Sequence, residues 1–203
     1  QLEAMGLEGV FSPQVYGPPF VPLALAAAAT TRLKIASGIA LAFTRSPFET
    51  AVAAMDLDMV SGGRCTLGLG PSVRSWSEGF FGMPYGKPVA HLREVIEIVR
   101  LVIEKSHTGE LTRYDGKYHQ LDFSEFQPLR APLRTNIPIW VAGLRQPLLR
   151  MGAEVADGII GHPIWSIEWA TTKVTDDIKA GLAKAGRQRS DVEFNVWLFV
   201  APN

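Results

Sequence analysis

Cysteine is almost absent from these 203 residues. Cys65 stands alone, which excludes an internal disulfide framework and a cysteine-rich metal site. Histidine is nearly as scarce. His91, His107, His119 and His162 lie far apart and never fall in His-x-His or His-x-x-x-His spacing, so a protein-bound zinc is not expected. Charge of one sign is not in excess either, with 20 basic and 20 acidic residues and a formal net charge of zero. The basic residues are scattered singly, whereas a phosphate backbone is held by clustered Lys and Arg; no nucleic-acid partner is expected. Long apolar runs are also lacking. The longest, FVPLALAAAA, is broken by Pro22 and is too short to cross a bilayer, so no membrane partner is expected.

What is present is an alternation. LEGVFS, LKIASGIAL, RCTLGLG, IPIWVAG, DGIIGH and VEFNVWLFV read as strands. Between them FVPLALAAAATT, SPFETAVAAMDLDMVS, KPVAHLREVIEIVRLVIEKS, QPLLRMGAEVA and IEWATTKVTDDIKAGLAKAG read as helices. The third helix carries Val89, Leu92, Val95, Ile96, Val99 and Val102 or Ile103 on one stripe. Alternating strands and helices predict an α/β fold with a covered parallel sheet. Residues 107–136 depart from the alternation, and YDGKYHQL within them carries a hairpin signal. We expect one domain over 1–203 with that excursion. Ser46, Pro47 and Glu49 predict a capped helix start with a capping box. QLEAMG reads as the end of a helix closed by Gly6, and VEFNVWLFVAPN as a strand with nothing after it, so both ends look cut.

Four glycines fall within Gly62–Gly70. SGGR follows a helix and precedes a strand, whereas GLGPS ends that strand. The two clusters therefore lie one strand length apart, roughly 15–20 Å, at opposite ends of the strand. They do not form one phosphate-binding loop, which would also need a Lys-Ser/Thr pair. Two architectures remain open on the alternation alone, a doubly wound sheet and an incomplete (β/α)8 barrel.

RSPFETAVAAMDLDMVSGGRCTLGLG, FGMPYGKPVAHLREVIEIVRLV and IPIWVAGLRQPLLRMGAEVADGIIGHP resemble, in order, the bacterial luciferase-like monooxygenase family, and within it the actinobacterial branch that depends on coenzyme F-420, a deazaflavin. The resemblance implies a (β/α)8 TIM-type barrel, incomplete here in its first strand and its last strand and helices, since a whole barrel runs to about 250 residues. It implies a flavin or deazaflavin at the C-terminal ends of the strands. A non-prolyl cis peptide is expected at Gly38–Ile39, with Ala40 following, to support the cofactor's middle ring. The phosphate seat falls on Gly143, Leu144, Arg145 and Gln146, where a helix start also offers free N–H groups. Gly161 and His162 would close the pocket, and Gly70 and Ser72 would border the ring system. Where some relatives carry an Asp-His pair, this chain has Gln14 and Val15, and Gln14 is a candidate to hydrogen-bond the cofactor although it cannot shuttle a proton; where others carry a Glu acid, it has Val73. Sugar-phosphate oxidation is therefore not expected, and no catalytic residue is assigned. Tyr16, Trp76 and His162 are candidates for the pocket wall.

The resulting expectation is hydride transfer from reduced coenzyme F-420 (8-hydroxy-5-deazaflavin) to a small organic substrate, in a cytoplasmic enzyme. The alternatives are an FMN-dependent monooxygenase and a cofactor-free barrel with a binding or structural role. Two successive helices that are apolar on more than one face, together with the family's habit of dimerising, predict a homodimer.

Overall fold

The computed structural model describes residues 3–198. Along the chain run β1 (Gly9–Ser12), α1 (Phe20–Ala28), β2 (Lys34–Ser37), β3 (Ala40–Leu41), α2 (Pro47–Ser61), β4 (Cys65–Gly70), α3 (Pro88–Lys105), β5 (Arg113–Asp115) and β6 (Gln120–Asp122). They are followed by β7 (Ile139–Ala142), α4 (Gln146–Val155), β8 (Gly158–Ile160), α5 (Ile167–Trp169), α6 (Thr175–Ala185) and β9 (Glu193–Asn195). The main sheet is parallel throughout, in the order β1-β2-β4-β7-β8-β9, with β3 beside β4. Spatial order follows chain order, so there is no point where the winding reverses. That removes the doubly wound alternative. The strands curl into a half-barrel.

Local chemistry sets the helix limits. At the start of α2, Ser46 Oγ accepts the Phe48 N–H at 3.1 Å and Pro47 occupies the first turn. The expected capping box is not completed; the Glu49 charge acts on Arg45 instead. At the other end Gly62 takes the left-handed conformation (φ 66°), and the Gly62 and Gly63 N–H groups return to the Met59 and Asp58 carbonyls at 3.1 and 2.9 Å. SGGR is thus an αβ turn, at the N-terminal end of β4. In α3 the stripe Leu92, Val95, Ile96, Val99, Val102 and Ile103 is buried, each side chain contributing about 1.5–3 kcal/mol. This stripe holds the helix against its neighbours α2 and α4.

Several elements depart from the sequence expectation. LKIASGIAL is not one strand. It breaks after Ser37 at a cis Gly38–Ile39 peptide, and β3 then pairs further along β4, Ala40 with Leu69 and Leu41 with Gly70. VEFNVWLFV is a strand only over Glu193–Asn195 among the described residues, because its one partner, β8, is itself three residues long. The last long helix is interrupted by a π-helical stretch, Ala170–Val174. There the Thr171 and Thr172 hydroxyls donate to the Ile167 and Glu168 carbonyls at 2.9 and 2.7 Å and compete with the backbone ladder. A second π-helical turn, Ser75–Phe80, follows β4.

The excursion carries an antiparallel β5–β6 hairpin with Asp115 opposite Gln120. Its loop is four residues rather than a tight Asp-Gly turn, closed by Gly116 N–H to the His119 carbonyl at 2.8 Å. The cause is Glu94 on α3. Its carboxylate accepts the N–H groups of Lys117, Tyr118 and His119 at 2.6–2.9 Å and pulls the loop open around itself.

Candidate active site

The half-barrel has a cleft at each end of its strands. The cleft at the C-terminal ends has a volume of about 610 Å³, and its walls come from three breaks in regular structure. The first is Gly38–Ile39. The Gly38 N–H donates to the Ser12 carbonyl and the Gln14 N–H to the Ile39 carbonyl, both at 3.0 Å, so the bulge is clamped on both sides. The Ile39 side chain lies over Gly70, where any Cβ would collide with it. Position 70 is glycine because β4 must let that side chain in.

The second wall is Pro71–Val73. Ser72 has a left-handed backbone (φ 59°), uncommon for a residue with a side chain. The Tyr85 hydroxyl donates to its carbonyl at 3.0 Å. Burial pushes the Tyr85 phenol up, against the opposing Arg74 charge, so the proton stays on and the hydroxyl remains a donor.

The third wall is the turn into α4. Gly143 sits so close to the Leu148–Leu149 backbone that a side chain would crowd it. The Leu148 and Leu149 N–H groups return to the Arg145 carbonyl at 3.1 and 3.2 Å. Pro147 has no N–H. The uncommitted donors of this turn, among the described residues, are therefore those of Leu144, Arg145 and Gln146, at the positive end of α4. The Arg145 side chain is exposed and forms no ion pair among the described residues. Beside this turn, the His162 Nδ1 accepts the Ile164 N–H at 3.3 Å, which leaves Nε2 as the donor of the neutral ring. Apart from Tyr85, Arg145 and His162 the lining carries no ionisable side chain among the described residues.

The luciferase-like monooxygenase family profile matches residues 1–203. The chain belongs to this family. An uncharacterized protein of Mycobacterium tuberculosis is 34% identical over 203 residues, which is 98% of this chain and 59% of that protein. A second protein of that organism, provisionally named a coenzyme F-420-dependent oxidoreductase, is 31% identical over 208 residues, 96% of this chain and 57% of its own. Among solved structures, the oxygenating constituent of 3,6-diketocamphane monooxygenase from Pseudomonas putida, in complex with FMN, shares the fold with a TM-score of 0.76. It is 19% identical and covers 95% of this chain and 57% of that one. The chain spans less than two thirds of the length of the relatives it matches. Members of the luciferase-like family are oxidoreductases and monooxygenases. No helix among the described residues is long and apolar enough to cross a membrane.

In this luciferase-like half-barrel, Gly38, Ile39, Ser72, Gly143, Leu144, Arg145, Gly161 and His162 all line the one cleft. Four other cofactor-contact candidates, and two of the candidates for the pocket wall, do not. Gln14 is buried and its side chain is spent on the β3–α2 loop: Oε1 accepts from Leu41 N–H at 3.0 Å and from Arg45 Nη2 at 2.9 Å. Ala40 is buried in β3, and Gly70 lies beneath Ile39 rather than in the open. Gln146 is exposed at the first position of α4. Gly161 is wall and not donor, since its N–H is committed to the Asn195 carbonyl at 2.7 Å. Tyr16 and Trp76 are absent from the lining and stack on one another at 6.1 Å, with Phe80 beside both. Tyr85 and Trp197 line the cleft and were not anticipated. Tyr85 lies in the aperiodic FGMPYGKP, which offers no pattern to read.

The lining suits a tricyclic cofactor with a phosphate. Ile39, Leu41, Ala142 and Ile160 give an apolar seat for a ring system, and the turn into α4 gives N–H donors and a guanidinium for an anion.

Proposed function

We propose that this chain forms the cofactor-binding part of a deazaflavin-dependent oxidoreductase, transferring hydride from reduced coenzyme F-420 to a small organic substrate. The observation that carries the reading is the juxtaposition of three walls around one cleft, an apolar seat facing an anion-binding turn, with no carboxylate in the lining among the described residues. A bound deazaflavin supplies the redox chemistry. The residues do the rest. Ile39 and Leu41 would give the ring system an apolar seat, and Pro71–Val73 would border it. The Leu144 and Arg145 N–H groups and the Arg145 guanidinium, with the Gln146 N–H at the rim, would hold the phosphate. His162 Nε2 is the one imidazole donor at the cleft among the described residues, and water is a further source of a proton. A reaction that needs a strong general base is disfavoured by this lining.

FMN is the second reading, supported by the FMN-bound monooxygenase of the same fold. Titrating the protein with reduced coenzyme F-420 and with reduced FMN, while following binding and oxygen consumption, separates them. Tight F-420 binding without oxygen uptake is expected. FMN binding with oxygen uptake favours the monooxygenase, and binding of neither overturns both.

The same reading includes a cytoplasmic homodimer. Val21 and Leu25 on α1, one turn apart, and Met59 and Val60 on α2 are exposed apolar side chains with the character of a subunit contact. A monomer mass at micromolar concentration would refute the dimer.

A further inference from the structure

Behind the lip of the cleft stands a column of rings that belongs to none of the strands. The His91 imidazole lies flat on Phe43 (centroids 3.9 Å apart, 4° between planes) and flat under Tyr118 (4.4 Å, 16°). Its Nδ1 donates to the Tyr85 carbonyl at 3.1 Å. Phe43 also meets the Tyr85 ring edge-on at 5.5 Å. The Arg74 guanidinium covers the same ring at 5.2 Å and is itself paired with Glu78 at 2.5 Å. Tyr85 is thus fixed by backbone, edge and face, and its hydroxyl ends on the Ser72 carbonyl. The far end of the column is fixed by the Glu94 carboxylate, which holds the hairpin loop bearing Tyr118.

We propose that Tyr85 is a positioning residue for the cofactor cleft and that the β5–β6 hairpin, through Glu94, Tyr118 and His91, sets where it stands. The inference rests on the cofactor reading above and deepens it. Ser72 is the point of leverage. A left-handed serine has neighbouring backbone wells to fall into, and the Tyr85 hydroxyl ties its carbonyl. With the tie gone, Pro71–Val73 moves and the wall beside the ring system is lost. The α4 turn, on the opposite wall, is untouched. The hairpin therefore governs affinity for the ring portion of the cofactor and leaves the phosphate portion alone.

Tyr85→Phe keeps the ring and its packing and removes only the hydroxyl. Riboflavin, which lacks the phosphate, and FMN are titrated by flavin fluorescence against wild type, Tyr85→Phe and Glu94→Gln. Tyr85→Phe is expected to weaken both ligands by the same factor, about five-fold for one neutral hydrogen bond, with the melting temperature nearly unchanged. Glu94→Gln is expected to weaken both and to speed tryptic cleavage after Lys117. Unchanged affinities, or loss confined to FMN, overturn the proposal. Hydrogen exchange read without ligand makes the test independent of the cofactor. Tyr85→Phe should quicken exchange over residues 72–80 and leave β8 as it was; equal rates over 72–80 overturn the proposal even if wild type binds no flavin. Absence of binding of both reduced coenzyme F-420 and FMN to wild type, with that exchange difference present, sinks the cofactor reading alone.

Discussion

The two ends of the half-barrel carry clefts of similar size, about 500 Å³ at the N-terminal ends of the strands and about 610 Å³ at the C-terminal ends. Volume does not distinguish them; the state of their charges does. At the N-terminal end every cation has a structural partner. Arg64 donates to the carbonyls of Ala27, Thr30, Leu33 and Ser61 at 2.5–2.9 Å and so closes the carboxyl ends of α1 and α2. Arg134 grips the buried Asp58 at 2.7 Å and the Cys65 carbonyl at 2.7 Å, while Lys34 pairs with Glu8 at 2.6 Å. At the C-terminal end the Arg145 guanidinium, the His162 Nε2 and three backbone N–H groups have no such partners among the described residues. One end spends its polar groups on holding the chain together, and the other keeps them for a ligand. This asymmetry agrees with the general placement of sites in parallel α/β barrels.

The comparison breaks most visibly at Arg134. Arg134→Ala strands the Asp58 carboxylate, whose side chain is 1% exposed. It should cost about 3 kcal/mol, the low end for removing one member of a buried pair, since Arg134 keeps some water contact. Urea unfolding measures it; riboflavin and FMN affinities should stay as in wild type. A loss of flavin affinity without a loss of stability would contradict the division between the two ends.

Next in size, Arg145→Ala should weaken FMN by about 1.5–3 kcal/mol, the range for hydrogen bonds to charged groups. Riboflavin binding and the melting temperature should hardly change. Equal losses for the two ligands would place the phosphate elsewhere. Raising salt should erode the same contact, because an exposed charge is screened.

A smaller effect follows from acid. Burial holds the His91 imidazole below its usual range, although the bond to the Tyr85 carbonyl and the Glu94 charge oppose the shift. For Glu94, burial acts to raise the carboxyl, and the Tyr118, His119 and Lys117 N–H donors with the His119 ring outweigh it and bring it below the usual range. Both groups therefore bind fewer protons in the folded chain than in the unfolded one. Stability should fall as pH drops below about 6.5, first through His91, and again below about 4.5 through Glu94. The urea midpoint at pH 7.5, 5.5 and 4 measures it, and His91→Gln should flatten the first part of the slope. Last, Glu8→Gln breaks a pair that is open to water on both sides and should leave the melting temperature unchanged.

Alternation and helix chemistry made much of the fold legible. Ser46-Pro47 and Gly62 mark the limits of α2 by caps that depend on a few neighbouring residues, and the α3 stripe is a matter of period alone. The anion-binding turn could be read because a strand, a glycine and a helix start lie in sequence. Gln14 could not be placed, since only the folded β3–α2 loop shows that Leu41 and Arg45 consume its amide. Tyr85 was invisible for a related reason. Its position is set by Phe43, His91 and Arg74, which share no periodic relation with it. The interrupted strand at Gly38–Ile39 was anticipated from family resemblance and not from the residues, where one glycine in an apolar run is ambiguous.

The lone thiol gives the chain a built-in clock. Cys65 is 1% exposed, and burial, reinforced by the Asp58 charge against the opposing Arg134, pushes it up to about 12. In the native state it presents almost no thiolate and almost no surface to a disulfide reagent. Its modification must wait for β4 to come away from its neighbours, so the waiting time at low reagent counts openings of the central sheet. Cysteines placed on the surface for dyes or spin labels would react long before it, with no need to remove the native thiol.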